Sequence, residues 1–309
     1  MTLRPAASDP GARDSVTVDA HAKINLELRI TAVRLDGFHE LETVFQSLEL
    51  HDTLRCERRE GPLAIACRAP GVPAGPGNLV WRAAAALWRH LGRDGEPAGA
   101  AVRLEKRIPV QAGLGGGSAD AAAALVGLAR LWGAEPDPAA LGSMAAGLGS
   151  DVAFFLTGGT ALGRGRGERL VGLPDLAPHW VVLFCPGFGG STADAYAWVD
   201  AEPRAAAGPP AAPLDSSWAL GAGPIRNDLE GPVTRRHPEI AAVRTALLAH
   251  GARVAGMSGS GSTVFGLFEV RAEAERALAA VAPGAAPGGR ALLTRTIAKD
   301  GSAGLPGSA

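Results

Sequence analysis

Residues 109–122 read Pro-Val-Gln-Ala-Gly-Leu-Gly-Gly-Gly-Ser-Ala-Asp-Ala-Ala, and they join an apolar, strand-like segment to an alanine-rich segment predicted to be helical. The four glycines lack a Cβ atom, so the backbone around them can fold its N–H groups toward an anion. Ser118 is a favourable N-cap residue, and the positive end of a helix that starts near it faces the same place. The segment therefore predicts a cradle for the phosphates of a nucleoside triphosphate.

A simple glycine-rich turn is the competing interpretation, because the chain contains 42 glycines. Three consecutive glycines lose much backbone entropy on folding, which favours a phosphate site over a turn. A Walker A loop is excluded, because Gly117 is followed directly by Ser118 without a lysine. A dinucleotide-binding loop would need glycine at position 118, an early βαβ unit around it and an acidic residue at the end of the next strand, and this pattern is not met here. The segment is therefore predicted to be a phosphate-binding loop that is neither a Walker A loop nor a dinucleotide-binding loop.

The composition is that of an ordinary globular protein, with 309 residues of which 47% are apolar and 20% charged. This length suffices for two modest domains. A formal net charge of −1 excludes a globally basic nucleic-acid binder. The three cysteines are widely spaced and predict neither a disulfide framework nor a zinc site. No signal peptide or membrane-spanning run is visible, so we expect a cytoplasmic protein without nucleic-acid or membrane partners.

Strands and helices follow one another without strict βαβ order, which predicts an α+β fold. Strands are predicted at 16–18, 25–30, 44–50, 54–57, 63–67, 101–108, 160–162, 179–185, 253–255, 263–268 and 290–297, and helices at 78–91, 118–131, 138–148, 239–248 and 271–280. We expect a disordered leader (1–14), an N-terminal domain (15–175), a C-terminal domain (176–298) and a disordered tail (299–309). The proline- and alanine-rich segment 201–214 is predicted to be a surface loop without a chemical role.

Two charged residues are candidates for phosphoryl-transfer chemistry. Asp151 follows Gly-Ser and precedes an apolar run, where a carboxylate can be fixed and still accessible as a general base; the alternative is an N-cap. Lys23 opens an apolar strand in an arginine-preferring chain, and its point charge could lower the pKa of a reacting hydroxyl or stabilise the transferred group; the alternative is a surface lysine. Asn25 lies two residues on, on the same strand face.

Aromatic residues and a second glycine-rich segment are further candidates. Phe38 and His39 follow a predicted turn near the strand of Lys23, and an aromatic ring beside an imidazole suits a planar heterocycle. Tyr196, the single tyrosine of the chain, is another candidate for stacking. Ordinary packing is the alternative for all three. The segment 256–262 is interpreted either as a hairpin or as a turn that closes over the phosphates from the other domain.

Together these motifs resemble the superfamily of galactokinase, homoserine kinase, mevalonate kinase and phosphomevalonate kinase, over residues 16–297. The segments that carry the resemblance are residues 109–118, which we call the glycine loop, and the runs 22–26, 34–39, 149–151, 226–230 and 256–261. The resemblance implies a two-domain α+β kinase, with an N-terminal domain like the second domain of ribosomal protein S5 and a ferredoxin-like C-terminal domain. It also implies ATP and Mg²⁺ as cofactors, no protein residue assigned as a metal ligand, and a monomer or weak homodimer.

Within the superfamily, the chain resembles the branch that phosphorylates the 2-hydroxyl of 4-diphosphocytidyl-2-C-methyl-D-erythritol, a step of the non-mevalonate isoprenoid pathway. The resemblance implies Asp151 as the base and Lys23 as the charge stabiliser. The residues implied for the substrate are Asn25, His39 at the edge of the cytosine, Phe38 and Tyr196 on its faces, and Thr192 at the diphosphate. Those implied for ATP are Gly113, Leu114, Gly115, Gly116, Gly117 and Ser118 at the triphosphate, and Asn78 and Lys106 near the adenine.

Two residues depart from the pattern of this branch. Phe38 replaces a common tyrosine, which keeps stacking but removes a hydroxyl. Asp120 replaces a common asparagine and places a negative charge near the expected phosphates, so we expect it to point away from them. Two other functions stay open at this point: a kinase for homoserine or a mevalonate derivative, and a non-catalytic nucleotide- or RNA-binding module. The presence of both Lys23 and Asp151 counts against the second.

Overall fold

The computed structural model of the protein describes residues 14–202, 214–215, 219–220, 225–284 and 289–299. The predicted α+β fold is confirmed, since the described residues form two β-sheets that pack against helices. The expected leader and tail lie almost wholly outside the described residues. At their inner ends, the Asp14 carbonyl accepts a hydrogen bond from the backbone N–H of Arg58, and the Lys299 N–H donates to Asp175.

The first sheet is built around a long antiparallel pair. Its strands are β1 (Ser15–Val33), β2 (His39–Pro62), β3 (Ala64–Cys67), β4 (Ala98–Glu105), β5 (Thr160–Gly165) and β6 (Arg169–Gly172). β1 pairs along one side of β2, while β4 and β5 pair with successive segments of the other side. The sequence predicted several short strands in place of β1 and β2. They are continuous because register shifts, between His21 and Lys23 and between Asn25 and Glu27, absorb the irregularities.

The first sheet and its helices form what we call the first half of the molecule, and the elements from Trp180 onward form the second half. The helices described in the first half are α1 (Leu79–His90), α2 (Gly116–Leu131), α3 (Pro138–Leu148) and α4 (Val152–Thr157). The bounds predicted for α3 are confirmed. The alanine-rich α2 is buried on nearly all sides, because its small side chains allow close contact with β1, β2 and α1. The predicted N-cap of α2 is wrong: the helix begins at Gly116, with Gly115 as its cap at φ +72°. Gly115 lies against Phe155, where a Cβ atom would be 2.6 Å from the ring.

The second sheet has the topology expected of a ferredoxin-like domain. Its strands are β7 (Trp180–Cys185), β8 (Val254–Met257), β9 (Val264–Phe268) and β10 (Arg290–Arg295), and its helices are α5 (Thr192–Ala201), α6 (Glu230–Arg236), α7 (Pro238–Ala249) and α8 (Arg271–Val281). The strand order is β10-β7-β9-β8, and all of its pairs are antiparallel. This is the order 4-1-3-2 of a β-α-β-β-α-β unit.

The two halves share a hydrophobic core. Ile24 and Leu48 of the first half belong to the same buried cluster as Val181 and Phe265 of the second. The change of sheet falls between β6 and β7, around the boundary that we predicted at residue 175. The prediction that segment 201–214 is a surface loop is wrong at Leu214. This residue is buried in the shared cluster, and its backbone N–H donates to Glu42. Residues 203–213 of that segment lie outside the described residues.

Gly113 lies at a close backbone contact between the two halves. Its φ is +78°, and a Cβ atom there would lie 2.6 Å from the Ser258 carbonyl oxygen and 2.8 Å from that of Gly261. Both neighbours are backbone atoms, so they cannot move aside as a flexible side chain would. The close approach therefore requires glycine at this position.

We expect Gly113→Ala to lower the free energy of unfolding by about 2–4 kcal/mol, because it adds both a steric clash and a strained φ. Thermal unfolding followed by circular dichroism measures this. Gly142→Ala is the matched control, since Gly142 lies in α3 with open space around it, and the added methyl should raise stability by up to about 1 kcal/mol. Equal melting temperatures for Gly113→Ala and the wild type would contradict the assignment.

Candidate active site

Lys23 is a buried cation at the centre of the molecule. Its side chain is 4% exposed. Its Nζ donates to Asn25 Oδ1 at 2.6 Å and to the Gly113 carbonyl at 3.1 Å, and it lies 3.4 Å from Asp151 Oδ2. The backbone N–H of Lys23 donates to the Leu114 carbonyl. A surface lysine is therefore excluded, and the strand β1, the glycine loop and the turn before α4 meet at one ammonium group.

The second glycine-rich segment closes over the same place. Ser258 Oγ donates to the Gly113 carbonyl at 3.0 Å and accepts from the Asn25 backbone N–H at 3.2 Å. At Gly259 a Cβ atom would lie 3.1 Å from Asn25 Oδ1. The turn that joins β8 to β9 is thus a hairpin connection that also contacts the first glycine loop, and its closure over phosphates stays a prediction. Asn227 holds this turn by donating to the carbonyls of Met257 and Gly259.

Asp151 lies on the α3–α4 turn with its side chain one-third exposed. Asp151 is the N-cap residue of α4 by position, but its side chain makes no capping hydrogen bond, so the carboxylate is not used to cap the helix. Its charged neighbour is Lys23, and it lines a cavity of about 710 Å³. A carboxylate that is fixed by an ammonium group but still open to a cavity has the access that a general base needs.

The glycine loop leads directly into the positive end of α2. The first backbone hydrogen bond of the helix is donated by the N–H of Ala119 to the Gly115 carbonyl, at 2.9 Å. The preceding amides of Gly116, Gly117 and Ser118 therefore point out of the helix end, as the first N–H groups of any α-helix do. Amides in this arrangement bind phosphate oxygens.

Lys106 lies behind the same loop in a buried cluster of charges. Its Nζ donates to Asp120 Oδ2 at 2.7 Å and also to Asp52 Oδ2. Asp52 Oδ1 accepts from the backbone N–H groups of Arg107 and Ile108 and so holds the start of the loop. Asp120 is thus directed into the protein toward Lys106, and its charge faces an ammonium group rather than the open side of the loop.

Burial raises the pKa of the Asp120 carboxyl to about 7; the Lys106 ammonium opposes this shift and the Asp52 carboxylate adds to it. The two carboxylates in turn raise the pKa of Lys106, although burial lowers it. Within the described part of the chain, Asp120 Oδ1 is buried without a hydrogen-bond partner. Two carboxylates thus share one ammonium group, which favours uptake of a proton near neutral pH.

Asn78 is the N-cap of α1. Its Oδ1 accepts from the Val80 backbone N–H at 2.9 Å, and its Nδ2 donates to the Pro73 carbonyl at 2.7 Å. The neighbouring Leu79 lies 3.7 Å from the position of a Cβ atom on Gly117, so α1 begins beside the glycine loop. Asn78 is therefore close to the loop, but both ends of its amide have partners within the protein.

The main cavity has a volume of about 710 Å³ and extends from Lys23 and Asp151 toward the β1–β2 turn and α5. Phe38 is half exposed at its rim, and the Arg166 guanidinium lies over its ring at 5.0 Å. The ring of Tyr196 stacks on that of His39, with centroids 4.7 Å apart. Burial, with the charge of Asp151 adding to it, raises the pKa of Tyr196, so its hydroxyl stays protonated.

The environment of His39 adds to the expectation. The imidazole stacks on Tyr196 and its Nε2 lies 3.0 Å from Asp200 Oδ1, two contacts that we did not predict, while the position of His39 at the edge of a base stays a prediction. One ring nitrogen is therefore already paired within the protein. Thr192, the first residue of α5, also lines the cavity, and its hydroxyl is 3.0 Å from that of Ser260.

A second cavity, of about 230 Å³, lies at the start of the glycine loop. Its wall includes Pro70, Lys106, Ile108 and Pro109, together with Arg290 from the other half. The cavity is thus partly apolar and partly cationic. The glycine loop contributes to both cavities, since Gly113 and Gly115 line the main one and Pro109 and Ala112 line the second.

Sequence reasoning missed four residues of this site. Three of them contact a partner that is distant in sequence: Asp52, Arg166 and Asp200. The fourth, Asn227, was recognised only as part of a motif. The sequence did contain a signal for Asp200, because this residue follows Tyr196 by four positions. In a helix, residues at this spacing lie on the same face.

The described residues contain no group of His, Cys, Asp and Glu side chains placed to hold a metal ion. Among them, no helix is both long and apolar enough to cross a membrane.

The chain matches two family models, described as GHMP kinases N terminal domain over residues 78–159 and GHMP kinases C terminal over residues 208–285. A protein from Moorella thermoacetica named 4-diphosphocytidyl-2-C-methyl-D-erythritol kinase is 44% identical over 264 residues, which cover 82% of this chain and 90% of that protein. A protein of the same name from Pelotomaculum thermopropionicum is 46% identical over 262 residues, covering 82% of this chain and 88% of that protein.

A solved structure agrees with these relatives. A crystal structure of 4-(cytidine 5'-diphospho)-2C-methyl-D-erythritol kinase matches with a TM-score of 0.75 and 39% sequence identity, covering 91% of this chain and 99% of that chain.

Lys106, Asp52 and Asp120 form a cluster that takes up a proton near neutral pH, which we call the Lys106 cluster. It predicts that the difference in melting temperature between the wild type and Asp120→Asn depends on pH. The native pKa of about 7 lies above the ordinary carboxyl value of about 4, so the folded wild type binds the proton more tightly than the unfolded chain does. The contribution of Asp120 to stability is therefore fully present below about pH 4 and is lost as the pH rises to about 7.

The side chain of Asp120→Asn cannot ionise but can still accept a hydrogen bond from Lys106. We therefore expect the melting temperature of this variant to rise relative to that of the wild type as the pH increases. Scanning fluorimetry at about pH 5 and about pH 7.5 measures the difference, in which titrating groups outside the Lys106 cluster cancel. The same melting-temperature difference at both pH values would rule out the raised pKa.

Proposed function

The chain belongs to the family of 4-diphosphocytidyl-2-C-methyl-D-erythritol kinases within the GHMP kinases, and we propose that it transfers the γ-phosphoryl group of ATP to the 2-hydroxyl of 4-diphosphocytidyl-2-C-methyl-D-erythritol through Lys23 and Asp151. Kinase activity and the GHMP fold, both expected from the sequence, are confirmed by this membership. The observation that carries the assignment of residues is the ion pair of Lys23 and Asp151 in a cavity that adjoins the glycine loop.

Asp151 acts as the base. Its carboxylate takes the proton of the acceptor hydroxyl while the oxygen forms a bond to the γ-phosphorus, and the bond from that phosphorus to the β,γ-bridging oxygen breaks with its electron pair leaving on ADP. The ion pair with Lys23 orients the Asp151 carboxylate before the substrate arrives.

Lys23 acts as the stabilising charge. An ammonium group has three protons, and two of those on Lys23 are donated to Asn25 Oδ1 and the Gly113 carbonyl. The third faces Asp151 and is available to the reacting oxygens. Because the ammonium group is almost fully buried, its field acts with little screening by water.

The acceptor occupies the main cavity. The aromatic group of Phe38, His39 and Tyr196 suits the cytosine, and the hydroxyls of Thr192 and Ser260 suit its diphosphate. Arg166 supplies a positive charge on the same wall, and a guanidinium matches phosphate oxygens in charge and in geometry. This places the distal hydroxyl of the acceptor toward Asp151.

ATP binds across the glycine loop, with its phosphates at the start of α2 and its adenine in the second cavity near Lys106. Mg²⁺ fits this site as an ion that enters with ATP, because it takes most of its ligands from phosphates and water. The nearby carboxylates of Asp120 and Asp151 are paired with lysines, so Ser118 is the residue that would contribute a protein oxygen. Bound Mg²⁺ neutralises part of the phosphate charge.

A coupled assay of ADP release with Mg²⁺-ATP tests the proposed acceptor against homoserine and mevalonate. Turnover with the cytidylyl substrate alone supports the assignment. Turnover with another acceptor would retain the kinase fold and overturn the proposed cytosine pocket.

We expect Asp151→Asn to lower kcat by about 10²–10⁴-fold, because the amide cannot accept the proton. The KM for ATP should change by less than about threefold, since Asp151 lies outside the glycine loop. Steady-state kinetics with a melting-temperature measurement to verify folding provides the test. Turnover close to that of the wild type would remove Asp151 from the role of base.

We expect Arg166→Gln to raise the KM for the cytidylyl substrate by about tenfold and to leave kcat within about threefold, because the lost contact is to the diphosphate rather than to the reacting hydroxyl. Arg169→Gln is the matched control, since Arg169 pairs with Glu40 outside the cavity. An equal effect of the two substitutions would argue against a diphosphate contact at Arg166.

A further inference from the structure

Helix α5 presents two residues of one face to His39. Tyr196 and Asp200 are four residues apart, and side chains at this spacing are neighbours on a helix surface. The Tyr196 ring stacks on the imidazole at an interplanar angle of 23°, and Asp200 Oδ1 lies 3.0 Å from Nε2. The His39 side chain is 7% exposed, whereas that of Asp200 is 49% exposed. The helix thus holds the imidazole from its face and from one nitrogen.

The contact with Asp200 decides which nitrogen of His39 carries the proton. An ionised carboxylate can only accept hydrogen bonds, so the proton of a neutral imidazole is held on Nε2. The other nitrogen, Nδ1, is then a hydrogen-bond acceptor. Without Asp200, the tautomer with the proton on Nδ1 becomes available, and Nδ1 then becomes a donor.

This choice matters for the base of the acceptor substrate. Cytosine carries an amino group, a donor, at the position where uracil carries a carbonyl oxygen, an acceptor. An acceptor at Nδ1 pairs with the amino group of cytosine and opposes the carbonyl of uracil. A site that leaves a polar group unpaired against the wrong ligand discriminates strongly, because the unpaired group loses its hydrogen bond to water.

We propose that Asp200 is a positioning residue that holds His39 in the tautomer with the proton on Nε2 and thereby selects cytosine over uracil in the nucleoside diphosphate part of the acceptor. The inference rests on the proposed function, since it concerns the base that occupies the main cavity. It adds a residue at which specificity is set without contact to the reacting hydroxyl.

Binding of cytidine diphosphate and uridine diphosphate by isothermal titration calorimetry tests this inference. The protein is first saturated with a non-hydrolysable ATP analogue, so that neither ligand occupies the ATP site. We expect the wild type to bind cytidine diphosphate at least about tenfold more tightly, and Asp200→Ala to reduce this preference to within about threefold. An unchanged preference in Asp200→Ala, or an equal loss of affinity for both ligands, would overturn the proposal.

Two variants separate tautomer control from a merely structural effect. Asp200→Asn retains an amide oxygen that can accept from Nε2–H, so it should keep most of the preference for cytosine. Asp194→Ala removes an exposed carboxylate from the same helix away from His39, so it should keep all of it. Loss of the preference in Asp194→Ala would assign the effect to α5 as a whole and contradict the proposal.

Nitrogen NMR of the imidazole tests the tautomer directly in the wild-type protein, whether or not Asp200→Ala folds. We expect the proton on Nε2, and a neutral His39 protonated on Nδ1 alone would overturn the proposal. These readouts do not depend on phosphoryl transfer. If the preference for cytidine diphosphate depends on Asp200 while the cytidylyl alcohol is not phosphorylated, the proposed acceptor fails and the tautomer assignment stands.

Discussion

The buried ammonium group of Lys23 is the constraint on which the rest of the site depends. A charge with almost no exposure is stable only when oxygen atoms surround it. Those oxygens come from Asn25, from the Gly113 carbonyl and from Asp151, which belong to three different segments of the chain. The strand β1, the glycine loop and the α3–α4 turn must therefore converge, and the same convergence places a cation and a base beside the phosphate-binding amides.

The glycine loop is held by a second lysine on its other side. Lys106 connects Asp52 of β2, which holds the start of the loop, with Asp120 of α2. The loop is thus fixed between two ammonium groups before a nucleotide binds, which lowers the entropy cost of ordering it around phosphates. The two clusters differ in charge balance. Lys23 faces one carboxylate, whereas Lys106 faces two, and the crowding of two carboxylates at Lys106 favours an additional proton near neutral pH.

The sequence predicted the features that depend on local pattern. The bounds of α3, the α+β class and the glycine loop follow from periodicity and turn residues, which neighbouring residues determine. The contacts that it could not predict join distant segments: Lys106 meets Asp52 across 54 positions, and His39 meets Asp200 across 161. The start of α2 was misplaced for a related reason. Ser118 is the better cap by propensity, but tertiary packing of Gly115 against Phe155 decides where the helix begins.

The chemistry and the selection of substrate come from different halves of the molecule. Lys23 and Asp151 belong to the first half, whereas Thr192, Tyr196 and Asp200 repeat at intervals of four residues on α5 of the second. Eight residues of helix rise by about 12 Å, so one helix face can line a cavity from its polar end to its aromatic end. A change in α5 therefore alters which acceptor fits while leaving the ion pair of Lys23 and Asp151 intact. Such a division lets one fold keep phosphoryl transfer constant and vary the acceptor, because binding contacts and reacting groups are supplied by separate elements.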